Sequence, residues 1–425
     1  MVLHGDHDSD TAKFFVIYAG SLVLNVTVGF VNRFRTSPFQ LEADEREYYE
    51  IARSIISGAV KFSPRRSLGF PAIESGILKL TGDFLMLQTV IVSIYSLAAP
   101  LLFLLVRKLT SDMRMAWLSA GILMFWPPAV YYGTSMYSET VALPLFLISL
   151  VLLPVGSRIR SVGPHPALLS LSSGACLGAT THVRPMYLMF LPMLLGIMLI
   201  EEVRPAVALR RFALVISGFS LIIAPWSILM TNRYHHLIVV TSNGGETLAG
   251  GLNPQLLKMG RNREILLRDR KSWVGPGKWL PIETTGYLTD GENGMTYDQK
   301  DALLKSRTLN WAEHYPKQAT YLELSKLRYL WGFSSFNDSD LFQTLFGAVP
   351  TMLLLIGSMF LWFKMPILRW QYPRLWLLPI FVSGIALISW GSWRFRQVGD
   401  VGLIAMCVIG TFILVDRRQS SALLR

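Results

Sequence analysis

Long apolar runs separated by short polar connections set the pattern of this chain of 425 residues. Runs free or nearly free of charge cover 14–31, 84–106, 115–132, 140–155, 166–181, 185–200, 212–230, 341–363, 375–390 and 398–415, the last holding one acid, Asp400, near its start. A hydrocarbon core about 30 Å thick takes roughly 20 residues of helix. Each run meets that length, or approaches it and makes up the difference by tilting or borrowing flanking residues. Helices satisfy their own backbone polar groups, so they are the expected spanning elements. The pattern predicts an all-α polytopic membrane protein with a bundle of about ten transmembrane helices. One such run is compatible with a buried helix of a soluble domain; ten in series are not. The prolines inside these runs (Pro100, Pro127, Pro128, Pro144, Pro192, Pro225, Pro350 and Pro379) are expected to kink the helices rather than end them.

Lys and Arg in short loops set the orientation. Alternate loops are basic: Arg107, Lys108 and Arg114; then Arg158 and Arg160; then Arg204, Arg210 and Arg211. The series continues with Lys364, Arg369 and Arg374, and ends in a tail with Arg417, Arg418 and Arg425. These loops and both chain ends are placed in the cytoplasm. The first run is expected to be retained, since Asn32-Arg33-Phe34-Arg35 does not read as a cleavage site. Two hydrophilic segments then fall on the outer face: 32–83, of about 50 residues, and 231–340, of about 110 residues. The chain divides into an N-terminal transmembrane module (1–230) with a first outer loop (32–83), an outer-face loop region (231–340) and C-terminal transmembrane helices (341–425). The large loop carries Asn243-Gly244-Gly245, Gly250-Gly251 and Gly275-Pro276-Gly277, followed by a helical stretch at 297–329. It reads as a small lid of irregular and helical structure, juxtamembrane to the bundle.

Composition agrees with this picture. Charged residues are 16% of the chain, against roughly 25% in a soluble domain. Hydrophobic residues are 52%, which excludes disorder. The net charge of +12 is divided among loops, so it is not the footprint of a nucleic-acid binder. Cys176 and Cys407 both lie in apolar runs, which argues against a disulfide scaffold or a cysteine-based zinc site.

Polar chemistry is confined to the loops. Glu42, Asp44, Glu45, Glu47 and Glu50 crowd the first outer loop. On a helix, Asp44, Tyr48 and Ile51 share a face. Crowded carboxylates at an interface favour a raised pKa and a general-base role; a solvated acidic helix end explains the same segment. Arg65 and Arg66 follow in Lys61-Phe62-Ser63-Pro64-Arg65-Arg66-Ser67-Leu68-Gly69-Phe70-Pro71. Guanidinium forks in a proline-stiffened loop suit a phosphate. An acid cluster and a basic pair in one loop supply what a transfer reaction needs: a base for the incoming hydroxyl and a clamp for a phosphate leaving group. Glu139, His182, Arg184, Arg394 and Arg396 sit at the outer ends of spans, where ionisable groups are costly and so are candidates for function; interfacial anchoring is the other reading. His235-His236 lacks a third ligand, so no metal site is read there.

These residues resemble a family. Ala43-Asp44-Glu45-Arg46-Glu47-Tyr48-Tyr49-Glu50-Ile51-Ala52 is similar to the first-loop Asp-Glu-x-x-Tyr motif of bacterial GT-C glycosyltransferases of the family 39 type. That group includes relatives of protein O-mannosyltransferases and lipid A aminoarabinose transferases. Arg66-Ser67-Leu68-Gly69-Phe70-Pro71 resembles the Arg-Pro-Pro-Gly-Tyr-Pro stretch that follows, and Tyr137-Ser138-Glu139-Thr140 the small-residue/Glu motif opening span four. Ala224-Pro225-Trp226, then Val240-Thr241-Ser242-Asn243-Gly244-Gly245 and Gly251-Leu252-Asn253-Pro254, resemble the run after span seven. Trp393-Arg394-Phe395-Arg396 resembles the Arg-Tyr/Phe-Arg before the last span. Ser67-Leu68 replace the prolines, Thr241-Ser242 inverts the usual order, and Glu47 stands where some relatives carry a base. These departures bear on substrate rather than on reaction type.

The resemblance implies a GT-C bundle in a bacterial inner membrane, with its site facing the periplasm or cell exterior. It implies transfer of a sugar, with inversion, from a polyisoprenyl-phosphate donor to a hydroxyl on a glycan, lipid or protein. Asp44 would be the base and Glu45 would orient base or acceptor. Arg66 with Arg65, assisted by Arg184, Arg394 or Arg396, would hold the donor phosphate. Tyr48, Glu139 and Asn243 would line the cavity. No cofactor or metal is assigned, and a divalent ion is left open. A polytopic transporter or lipid flippase is the competing class, although it would place ionisable groups near the bilayer midplane. A lipid-linked-glycan ligase or polymerase shares the donor type.

Overall fold

Proline decides where several of the apolar runs break. In a computed structural model, residues 7–41, 43–60, 62–154, 166–259, 276–288, 292, 294–332 and 349–422 are described. Among them there is no β-strand. The run at 84–106 forms α4 (Phe84–Tyr95) and α5 (Ala98–Thr110), broken at Ser96-Leu97. Pro100 has no N–H for the Ser96 carbonyl and its ring crowds that carbonyl, so the break falls one turn upstream. The run at 115–132 forms α6 (Met113–Met124) and α7 (Pro127–Gly133). Here Pro127-Pro128 end one helix and open the next, because the residue before a proline is pushed out of the helical region; Trp126 is extended, at φ −69° and ψ 115°. Pro144, Pro225 and Pro379 lie inside continuous helices: α8 (Glu139–Leu152), α11 (Pro205–Tyr234) and α18 (Pro373–Ile388).

The other helices of the bundle are α1 (His7–Val28), α9 (Pro166–Val183), α10 (Phe190–Glu201), α16 (Val349–Lys364), the short α17 (Pro366–Gln371) and α19 (Gln397–Ala422). Segments Asp10–Val31, Phe84–Thr110, Pro205–Tyr234 and Gln397–Asp416 are long and apolar enough to cross a membrane, and five shorter apolar helices accompany them. The protein is a multi-pass membrane protein. Small residues let α9 and α11 approach closely: a Cβ on Gly174 would meet the Val215 carbonyl at 1.9 Å, and one on Gly218 the Leu171 carbonyl at 2.0 Å. Phe103, Phe146 and Phe190 fill the centre, fully buried. The expected Arg158, Arg160 and Arg425, residue Lys61, Gly275 and the start of the run at 341–363 lie outside the described residues.

The connections collect at two ends. At one, Arg374 opens α18 and reaches Glu201, at the end of α10, and the last carbonyls of α8. At the other lie α2 (Ala43–Ile56) and α3 (Gly69–Thr81) from the first long loop, beside the large loop. The large loop forms α12 (Gly244–Gly251), α13 (Pro254–Met259), α14 (Tyr297–His314) and α15 (Pro316–Leu330). The helical stretch expected at 297–329 is therefore two helices, parted before Pro316 for the same reason as α6 and α7. The loop has small apolar cores of its own, one of Leu252, Leu256, Leu280 and Leu322. It docks on the bundle by backbone: the Gly391 N–H donates to the Gly277 carbonyl at 2.8 Å. Buried Lys326 donates to the Leu387 carbonyl at 2.9 Å.

Candidate active site

The start of α2 brings Asp44 and Glu47 to one face, three residues apart. The loop 62–68 brings Arg65 and Arg66 over that face. Its seat depends on Gly69: a Cβ there would lie 2.3 Å from the His182 carbonyl. Ser67 also donates its hydroxyl to the His182 carbonyl at 2.6 Å. The arginine loop is thus clamped against the end of α9, two residues before Arg184. Tyr48 packs edge-on against buried Phe70, ring centres 5.1 Å apart, which fixes α2 on α3.

Four arginines from three places in the sequence meet here. Arg66 Nη2 lies 2.6 Å from Asp44 Oδ1 and 2.7 Å from Glu47 Oε2. Arg394, from the turn between α18 and α19, puts Nη2 2.7 Å from Asp44 Oδ2 and Nε 3.3 Å from Glu139 Oε1. Arg184 Nη2 lies 2.9 Å from the same Glu139 oxygen. Arg65 lies 3.1 Å from Glu47 and 2.8 Å from Glu246. The result is one path of alternating charge, from Glu246 in the large loop to Arg184 after α9. Asp44 and Glu139 each stand in the first turn of a helix, where the helix dipole favours a negative charge. Ser138 accepts from Arg184 at 3.2 Å and donates to Glu139 at 3.2 Å. Tyr48 lies 3.5 Å from Ser138 and 3.4 Å from Arg66.

Burial alone would raise the Asp44 pKa, but Arg394, Arg66 and Arg184 outweigh it and hold the carboxyl well below the ordinary range. With both oxygens taken by arginine, Asp44 in this state is a weak base. At the path's centre the arginines meet these carboxylates, the Tyr48 and Ser138 hydroxyls and the faces of aromatic rings: Arg184 lies over Phe395, and Arg394 over Tyr137 and Phe395. An anion with several acceptor oxygens competes directly for these arginines.

Among the residues read from sequence as site candidates, the structure brings together Asp44, Arg65, Arg66, Arg184, Arg394, Glu139 and Tyr48. It does not bring Arg396 to them. Residues 393–396 form a turn, so Arg394 and Arg396 diverge. Arg396 is fully buried, with Nε 3.3 Å from Asp400 Oδ2; Trp126 Nε1 donates to the same oxygen at 2.9 Å. Glu45 follows Asp44 by one helical position and so points elsewhere: its Oε1 accepts from the Met136 N–H at 3.0 Å and steadies the turn before α8. Asn243 accepts from Thr241 at 3.1 Å, before α12 and off the path. Glu42 lies outside the described residues.

Sequence reasoning missed Glu246 altogether and gave Glu47 no role. The three-residue spacing from Asp44 pointed to Glu47; for Glu246 the only signal was an acid in the first turn after Asn243-Gly244-Gly245. Among the described residues no three His, Cys, Asp or Glu side chains converge as metal ligands. The carboxylates here are paired with arginines.

No family model matches the chain, and no curated protein matches it. Solved structures do. The archaeal oligosaccharyltransferase AglB from Archaeoglobus fulgidus, in complex with an inhibitory peptide and a dolichol-phosphate, superposes with a TM-score of 0.53 at 12% identity, over 97% of this chain and 51% of that one. The Archaeoglobus fulgidus oligosaccharyltransferase complex with Zn and sulfate gives 0.52 at 12% identity, over 94% and 49%. The same enzyme tethered to an acceptor peptide containing the NVT sequon gives 0.54 at 13% identity, over 97% and 51%. The chain thus has the GT-C fold of these proteins and spans about half their length.

Proposed function

We propose that this protein is an integral membrane glycosyltransferase that moves a sugar from a polyisoprenyl-phosphate donor to a hydroxyl acceptor at the outer face of the membrane, with inversion. The observation that carries this reading is the convergence of Arg66, Arg184 and Arg394 on Asp44 and Glu139 at one end of a membrane bundle. The donor phosphate takes Arg66 and Arg394 from Asp44. Those two arginines are the main cause of its weakness as a base, so phosphate binding strengthens it. Asp44 then takes the acceptor hydroxyl proton. The acceptor oxygen bonds to the anomeric carbon from the face opposite the phosphate. The carbon–oxygen bond to phosphate breaks, and its electron pair leaves on the phosphate, where the guanidinium groups stabilise it. Glu139 and Ser138 hold Arg184 and Arg394 in place.

The fold neighbours are oligosaccharyltransferases, and one is in complex with a dolichol-phosphate. That observation favours, as a second reading, transfer of a whole lipid-linked glycan rather than one sugar. One experiment serves both. The purified protein in nanodiscs is given polyisoprenyl-phosphate donors bearing one sugar or an oligosaccharide, with envelope glycolipids, glycans and peptides as acceptors, and products are read by mass spectrometry. Asp44→Asn is expected to lower transfer by about 10²- to 10⁴-fold, the range of a general base. Near-wild-type transfer by folded Asp44→Asn would remove Asp44 from the role.

A further inference from the structure

The path of alternating charge runs past the phosphate-binding arginines and into the large loop. Arg65 grips Glu246 with Nε at 3.0 and 3.1 Å and Nη2 at 2.8 Å. Glu246 is built to be gripped. The Tyr297 hydroxyl donates to its Oε2 at 2.6 Å. Its own N–H and that of Gly245 donate to Asp301 at 2.8 and 3.0 Å. Gly245 sits so close to α14 that a Cβ would lie 1.9 Å from the Asp301 carbonyl. Glu246 is therefore rigid on α12 and α14 and moves only as they move. The Ser242 N–H, donating to the Pro64 carbonyl at 2.7 Å, is a second tie at the same place.

The other half of the device is Glu47, which is shared: Arg65 Nη1 lies 3.1 Å from one oxygen and Arg66 Nη2 2.7 Å from the other. We infer that Glu246 is a positioning residue, latching the large loop to the first loop through Arg65, and that a phosphate taken up by Arg66 releases the latch. Once Arg66 turns to a phosphate, Glu47 keeps only Arg65 and draws it from Glu246. If Arg65 itself turns to the phosphate, Glu246 loses it as well. Both movements have the same sign. The loop then swings on its tie between Gly277 and Gly391 and admits the acceptor, so donor binds before acceptor. This rests on the phosphate reading above. It also carries a reciprocal consequence: whatever phosphate does to the latch, the latch does to phosphate affinity.

The test uses the full chain in phosphatidylcholine nanodiscs with a C55 polyisoprenyl phosphate or the matching polyisoprenol. Saturable binding of radiolabelled lipid and amide hydrogen exchange over Gly244–Gly251 are measured in parallel. The phosphate lipid is expected to raise exchange there by about fivefold or more, and the alcohol to leave it unchanged. Glu246→Gln is expected to exchange fast with or without the lipid, and to bind the phosphate lipid about 3- to 10-fold tighter. A merely structural loss would weaken binding instead. Tyr297→Phe, which removes one hydrogen bond from Glu246 and leaves the fold's charges intact, is expected to move both readouts the same way by less. If the phosphate lipid binds while exchange stays flat or slows, or if neither variant binds tighter, the latch is overturned and the phosphate site stands. If wild type binds no phosphate lipid, or binds the alcohol equally well, the phosphate reading falls and the latch falls with it.

Discussion

Arginines lie at the start of α18 and in the turn beyond its end, and the two are held in opposite ways. Arg374, in the first turn, is fully buried. It meets both oxygens of Glu201 at 2.8 and 2.7 Å and three backbone carbonyls, of Leu150, Leu153 and Pro154, at 2.6–3.1 Å. Among the described residues Glu201 has no second arginine, and the carbonyls are the free end of α8, which need a donor in any case. Arg394, beyond the other end of α18, pairs with carboxylates and stacks over the Tyr137 and Phe395 rings, 4.8 and 5.2 Å from their centres. Each of those carboxylates, Asp44 and Glu139, already has another arginine. A dedicated partner and fixed carbonyls make a clasp between helices. Shared carboxylates make a set of guanidinium groups that an incoming anion can redistribute. The difference is one of partner sharing rather than of residue type or burial.

The widest separation between the two comes from truncating each. Removing one member of a dedicated buried pair leaves an uncompensated charge and costs about 3–5 kcal/mol. Arg374→Ala is expected to lose that much, read as a fall in unfolding midpoint in detergent, with Glu201 left without its arginine and the Leu150 and Pro154 carbonyls without that donor; Lys108 still donates to the Leu153 carbonyl. A loss under about 1 kcal/mol would break the comparison, since exposed pairs reach no more than that. Arg394→Ala strands nothing, because Asp44 keeps Arg66 and Glu139 keeps Arg184. Its stability should fall by much less, while transfer falls by about 10²- to 10³-fold, the usual cost of one donor to a developing oxyanion. Equal stability losses in the two variants would make Arg394 a clasp like Arg374.

How much of this was readable in the sequence follows the same division. Run length and composition are local, and they placed the apolar helices. The breaks at Ser96 and Trp126 were readable only in part: proline acts on the carbonyl a turn upstream and on the residue before it, so the break does not fall on the proline. Asp44, Arg65 and Arg66 stood out because they crowd one short loop. The sharing of partners did not, because Arg66, Glu139, Arg184, Glu246 and Arg394 come together only through tertiary packing. Arg394 and Arg396 looked equivalent in sequence, and only the turn at 393–396 sends one to the site and the other to Asp400. Topology alone assigned Arg374 to a solvated basic loop; its burial depends on Glu201, 173 positions away in the chain.

The smallest effect, and the most selective, concerns an acid with no arginine. Glu74 on α3 is fully buried, and neither of its oxygens has a hydrogen-bond partner among the described residues. Burial first, and then the nearby Glu45, push its pKa well above the ordinary glutamate value. Asp44, on the neighbouring helix, is shifted the other way by its arginines. The signs of the two pH dependences therefore differ. The Asp44 pairing is fully present above the ordinary aspartate pKa and is lost only as pH falls through the lower folded value, so it gives no slope between pH 5 and 8. Glu74 holds its proton more tightly folded than unfolded, so its contribution weakens as pH rises from the ordinary glutamate value towards its raised one. Glu74→Gln cannot ionise and removes that slope. Its midpoint relative to wild type is expected to climb between pH 5 and pH 8. Asp44→Asn should leave the slope over that window unchanged. A parallel displacement of the Glu74→Gln and wild-type curves would mean that Glu74 is already compensated in the fold, and that a buried acid at this end of the bundle needs no arginine to stay charged.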